Sequence, residues 1–161
     1  MKQLIIIRHA KSSWDFPVSD FDRNLLPSGV TDAKLVAKEA TSFMPESYTI
    51  WSSAANRATQ TAQLFAEVFN YPIQNIEFKK ELYTFNETEL ERIIRTCPNE
   101  IENLVVFGHN EAITNFVNKM GNIFIDNVAT SGFVSIILDA NSWKDFKSGI
   151  TSKVIFPKQL R

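Results

Sequence analysis

The chain has 161 residues, of which 44% are hydrophobic and 22% charged, and its formal net charge is −1. That length and balance suit one globular domain, residues 1–161, with a substantial core, and the near-neutral charge argues against nucleic acid as the main partner. A single cysteine, Cys97, excludes an internal disulfide framework and fits a reducing compartment, so a cytoplasmic location is expected.

The elements follow in chain order. Leu4–Ile7 is a short, fully apolar run, as expected of a strand covered on both faces. It is too short for a signal-peptide core and meets Arg8 at once; no other stretch approaches the length of a membrane span. A polar loop, Lys11 to Leu26, comes next. A helix opens near Ser28, with Val30, Ala33, Ala37 and Ala40 on one face. Tyr48–Ser53 reads as a second strand. The helix after it, "ANRATQTAQLFAEVF", carries Ala58, Ala62, Phe65, Ala66 and Phe69 at helical spacing. Ile76–Phe78 is a short third strand, and Glu87–Cys97 is an amphipathic helix ended by Pro98. "NLVVFGHN" repeats the opening design, an apolar strand running into a histidine, and "AITNFVNKM" is the helix after it, stopped by Gly121. "GFVSIILD" and "ITSKVIF" read as two strands joined by a turn-rich stretch, Ala140–Gly149, forming a hairpin at one sheet edge.

Strands alternating with helices predict an α/β fold: three α/β/α layers around a mainly parallel central sheet, with that edge hairpin. In such sheets ligands bind beyond the carboxyl ends of the strands. Arg8 and His9 stand there after the first strand, Ser52 to Arg57 after the second, and Gly108, His109 and Asn110 after the fourth. Both histidines of the chain and two arginines therefore fall on one rim.

Two imidazoles and two guanidiniums suit a doubly charged oxyanion. Arginine matches phosphate oxygens with its planar fork and stays charged, and the helix N-termini after "WSSA" and "GHN" offer further amide donors. A neutral histidine fixed in one tautomer can act as a nucleophile. Such a site needs no cofactor and no metal; a zinc site from His9, His109 and a cysteine lacks ligand number and spacing. The plain alternatives are a strand-end pair at Arg8 and His9, a helix-face arginine at Arg57 and a structural histidine at His109. Trp14, Phe16 and Phe21 are expected to anchor their loop to the core, and Cys97 to be inert.

"RHAKSSW", "SSAANRATQTA" and "VVFGHN", with "RNLLPSG" (Arg23–Gly29), resemble the histidine phosphatase superfamily, also called phosphoglycerate mutase-like, and within it the SixA-like phosphohistidine phosphatase branch. The resemblance spans the whole chain in order. It implies a phosphoglycerate mutase-like fold and a metal-independent phosphatase in which His9 becomes phosphorylated. Arg8, Arg57 and His109 would complete the phosphate pocket. Glu81, in "KKELYTF", lies where the superfamily often carries its proton donor, or is a solvated charge beside Lys79 and Lys80. Ala10 replaces the usual glycine after the histidine. The short segment Lys79–Asn86, where larger members carry a long capping insertion, implies an open site. The expected partner is a phosphorylated protein bearing phosphohistidine, or a small phosphoester, with phosphate or vanadate as inhibitors. The competing function is a binding module that holds phosphate or a phosphoprotein without turnover.

Overall fold

In the computed structural model, which describes residues 1–161, the first strand β1 (Lys2–Arg8) lies in the middle of a six-stranded sheet. The other strands are β2 (Thr49–Ser52), β3 (Glu77–Phe78), β4 (Asn103–Gly108), β5 (Phe133–Leu138) and β6 (Gly149–Ile155), and the order across the sheet is β3-β2-β4-β1-β5-β6. β1 to β4 run parallel; β5 is antiparallel to β1, and β6 to β5. The fold is the expected α/β arrangement with its edge hairpin. Flanked by β4 and β5, Leu4–Ile7 has no exposed surface, which explains its lack of polar alternation.

The helices are α1 (Pro27–Ala40), α2 (Asn56–Phe69), α3 (Glu87–Ile94) and α4 (Ala112–Met120). Because strand side chains alternate between faces, Ile5, Ile7, Val105 and Phe107 pack under α1 and α2 against Ala33, Val36, Ala62 and Phe65. Leu4, Ile6, Leu104 and Val106 point the other way, onto Ile93, Ile113, Phe116 and Val117 of α3 and α4. α1 opens with proline at its first position, where a missing N–H costs nothing.

Two elements differ from the sequence reading. α3 ends at Ile94 rather than Cys97, because the chain tightens into turn bonds from Thr96 to Ile93 and from Cys97 to Ile94 before Pro98. The Ala140–Gly149 stretch is more than a turn. It buries Trp143 and Phe146 completely, and the Trp143 indole N–H donates to the Ile101 carbonyl at 2.7 Å. No helix is long and apolar enough to cross a membrane.

Register sets the rim. Arg8 is level with Gly108, and Ser52 with Phe107. His9 and His109 are therefore each the first residue beyond neighbouring parallel strands, with Ser53 beside them.

Candidate active site

Backbone bonds continue the sheet a step past its strands. The His9 N–H donates to the Gly108 carbonyl at 3.1 Å and the Ser53 N–H to the Phe107 carbonyl at 3.0 Å. On the other side Ser131, in the left-handed region at φ 61°, shares its N–H between the carbonyls of Arg8 (3.0 Å) and His9 (3.2 Å). The histidine is thus pinned from both flanks.

His9 is 8% exposed. Its Nδ1 lies 2.7 Å from its neighbour's carbonyl, that of Ala10, which can only accept, so Nδ1 carries the proton and Nε2 keeps its lone pair. Burial, reinforced by Arg57, Arg8 and Arg23, holds the imidazole pKa down to about 3 against the pull of that carbonyl. The ring is neutral at physiological pH. Ala10 has ordinary backbone geometry, so nothing requires a glycine there; its N–H donates to Thr61 Oγ1 at 2.9 Å, and that hydroxyl donates to the Arg57 carbonyl on α2.

His109 is 1% exposed, its ring centroid 5.3 Å from that of His9. Its Nε2 is 2.8 Å from Ser53 Oγ, while Nδ1 has no partner. Burial, with the charges of Arg57 and Arg8 and the neighbouring His9, likewise lowers its pKa to about 3.

Arg57, 2% exposed in the first turn of α2, directs Nε at His9 Nε2, 3.4 Å away. Arg8 donates from Nη1 to the Val128 carbonyl at 2.9 Å, and its buried Nε has no partner. The orphaned Arg8 Nε–H is a buried donor in need of an acceptor such as a phosphate oxygen, and the free lone pair of His9 Nε2 is the group that would meet phosphorus.

The structure brings Arg8, His9, Arg57 and His109 together, but not Glu81. That side chain is exposed on a short 3-10 turn and makes no hydrogen bond or ion pair. Two residues on, Tyr83 approaches instead: its ring packs on His109 at 5.3 Å and its hydroxyl donates to Asp20 Oδ2. Asp20 also accepts from Arg57 Nη2 and, through Oδ1, from Arg23 Nη1, each at 3.0 Å. The sequence reading missed Asp20 and Tyr83. The only local signal was the spacing of Asp20 three residues before Arg23. Three arginines (8, 23, 57) against one carboxylate leave an excess of two positive charges around two neutral imidazoles, the complement of a phosphoryl dianion.

The loop after β1 departs from expectation. Trp14 is 76% exposed and Phe16 is exposed too, so neither anchors the loop to the core. Arg23 does the anchoring: its guanidinium stacks on the Trp14 ring at 3.2 Å and donates to the Ser13 carbonyl and Ser12 Oγ. Cys97 is buried at the far end of the sheet, its thiol pushed up to about 12 by desolvation. Nowhere do three or more His, Cys, Asp or Glu side chains converge as a metal site would need.

A doubly wound sheet that ends in a buried neutral histidine, a second histidine and an arginine cage defines a phosphatase of the histidine type. Residues 4–84, about half of the chain, match the model of the histidine phosphatase superfamily (branch 1), and the chain belongs to that superfamily. Its fold is that of the protein histidine phosphatase SixA complexed with tungstate, at 22% identity and TM-score 0.83 over 99% of both chains. It is similar to a protein from Agrobacterium tumefaciens assigned as phosphohistidine phosphatase SixA, at 27% identity and TM-score 0.73 over 84% of this chain and 90% of that one. An uncharacterized chloroplastic protein of Arabidopsis thaliana is 28% identical over 153 residues, 89% of this chain and 70% of that protein.

Proposed function

We propose that the protein removes phosphoryl groups from phosphohistidine on proteins, carrying the group transiently on His9. Nε2 of His9 attacks phosphorus in line; the new N–P bond forms as the substrate N–P bond breaks, and the departing imidazole takes its proton from water. Water then attacks phospho-His9, releases inorganic phosphate and returns the neutral imidazole. Arg8, Arg57 and His109 bind the phosphoryl oxygens and stabilise charge spread over them.

The observation that carries this substrate class is the lack of a placed acid. Glu81 is exposed and unengaged, and Asp20, the carboxylate at the site, is locked in the ionised form by its donors. An ester leaves as an alkoxide and depends on a general acid, whereas an imidazole leaves readily once protonated. The short Lys79–Asn86 segment, with no long cap, suits a phosphoryl group presented on a protein surface. The likeness to SixA supports the same reading. The same charge balance makes phosphate, vanadate and tungstate expected competitive inhibitors.

The test is intact-mass trapping. Wild type, His9→Ala and Glu81→Gln are each incubated with a phosphohistidine-bearing protein and, separately, with a small phosphate ester, then quenched. A phosphate adduct on wild type and Glu81→Gln but not on His9→Ala is expected, with the phosphoprotein turned over faster and Glu81→Gln within about threefold of wild type, as for a solvated surface carboxylate. Faster ester turnover with dependence on Glu81 would move the assignment to small phosphomonoesters. Phosphate binding without adduct or release would make this a binding module.

A further inference from the structure

We propose that Asp20 is the positioning residue that aims Arg57 at the phosphoryl group, a role that rests on the His9 reading above. Arg57 is buried, and both of its terminal nitrogens are held by the one residue: Nη1 donates to the Asp20 carbonyl at 2.6 Å and Nη2 to Oδ2 at 3.0 Å. Nε faces the other way, toward His9 Nε2. A guanidinium carries five N–H groups in one plane. With Asp20 holding one hydrogen from each terminal nitrogen, the Nε–H and the second Nη2–H form a parallel fork on the His9 side. A phosphoryl group on Nε2 meets that fork, the geometry in which arginine binds phosphate bidentately.

Asp20 is itself immobilised. Oδ1 accepts from Arg23 Nη1 and Oδ2 from the Tyr83 hydroxyl as well as from Arg57. Arg23 is fixed by Ser12, Ser13 and Trp14, and Tyr83 by His109. One carboxylate therefore ties three separate segments around the two histidines: the loop after β1, the start of α2 and the stretch after β3. Desolvation works against its charge, but the donations from Tyr83, Arg57 and Arg23 outweigh it and bring the pKa to about 2. A group so acidic neither gives nor takes a proton near neutrality, which leaves orientation as its contribution.

A double-mutant cycle of Asp20→Ala and Arg57→Ala tests this, read as kcat and KM with phosphoramidate, as tungstate affinity, and alongside thermal unfolding. Asp20→Ala is expected to lower kcat about 10–100-fold with KM changed less than about threefold, the cost of misaiming a charged group by about an ångström. The double variant is expected to be no slower than Arg57→Ala alone, because Asp20 acts through Arg57. Asp20→Asn, whose amide oxygen still accepts from Nη2, is expected to recover activity to within about threefold of wild type. Losses that multiply in the double variant overturn the proposal. So does an Asp20→Ala protein that binds tungstate more tightly with kcat intact, since Asp20 would then be only a competing anion. Should Asp20→Ala fail to fold, Asp20→Glu takes its place: it keeps the charge but displaces the carboxylate by a methylene, so the same fall in kcat is expected and full activity overturns the proposal. A wild type that neither forms the phosphate adduct nor binds tungstate sinks the His9 reading and this role together. A working wild type with an additive cycle removes Asp20 alone.

Discussion

At the scale of single residues the site depends on one proton. The Ala10 carbonyl assigns it to Nδ1 of His9, and burial with three arginines keeps a second proton off Nε2. Because the pKa is lowered to about 3, the neutral nucleophile persists through the whole range in which an ordinary histidine would charge. Long-range proton–nitrogen NMR of the ligand-free protein is expected to show His9 as the Nδ1–H tautomer, unchanged from pH 8 to pH 5; a protonation midpoint near 6.5 would contradict the burial argument. Arg8, His9, Arg57 and His109 were legible in the sequence because Arg8 ends an apolar strand, His9 and His109 each follow one, and Arg57 opens the helix after another, all at the predictable carboxyl edge of the sheet. Asp20 and Tyr83 were not. They reach the site across segments 63 residues apart in the chain, and no local pattern encodes a contact made only when two loops close. Glu81 drew notice by its place relative to the superfamily's proton donor, but the short turn at Lys80–Leu82 leaves its side chain in solvent and offers Tyr83 instead.

At the scale of elements the loop after β1 carries the most chemistry with the least regular structure. It is fastened at its far end where α1 begins: the Leu26 N–H donates to the Lys11 carbonyl at 2.9 Å, and Gly29 packs flush on the Lys11 backbone. A Cβ at Gly29 would collide with the Lys11 carbonyl oxygen, a backbone atom with no room to yield. Gly29→Ala is expected to destabilise the fold by about 1–3 kcal/mol, the usual cost of forced overpacking, and to weaken phosphate binding by shifting the residues that follow His9. Urea unfolding and phosphate titration of the variant check both. The glycine in "RNLLPSG" could be noticed in the sequence, but its reason could not, since the atom it makes room for lies 18 positions earlier (29 − 11). The helices and strands themselves were readable because each has one face or two to bury. The departures came where aromatic side chains sit outside any periodic element: Trp143 and Phe146 are buried in a stretch of turn residues, whereas Trp14 and Phe16 are left in solvent.

At the scale of the whole molecule the active centre weighs on stability. Two histidines are held neutral in the folded state, both lowered to about 3, while in the unfolded chain they titrate near 6.5. Below that pH the unfolded chain binds more protons than the folded one, so stability falls as pH drops from about 6.5 toward about 3. Each group contributes up to about 1.4 kcal/mol per pH unit. Asp20 works in a lower window: its pKa is depressed, so its contribution is complete above the ordinary carboxylate range and is lost only as pH falls toward about 2. Urea midpoints measured between pH 6.5 and pH 5 are therefore expected to decline through the histidines, and a His9→Asn, His109→Asn double variant to flatten the slope. A wild-type midpoint independent of pH over that interval would show that the rings charge freely in the fold.

The place of β1 in the sheet also sets a timetable. Ile5 pairs with Val105 on one side and Ser135 on the other, so the strand that presents His9 finds its neighbours only after a hundred or more further residues have left the ribosome. Pairings this distant in sequence are slow to close and late to be rewarded. The nascent chain thus carries its nucleophile and the cage arginines well before His109 is made, and the rim that gathers them is complete only when β4 and β5 dock on either side of a strand made long before.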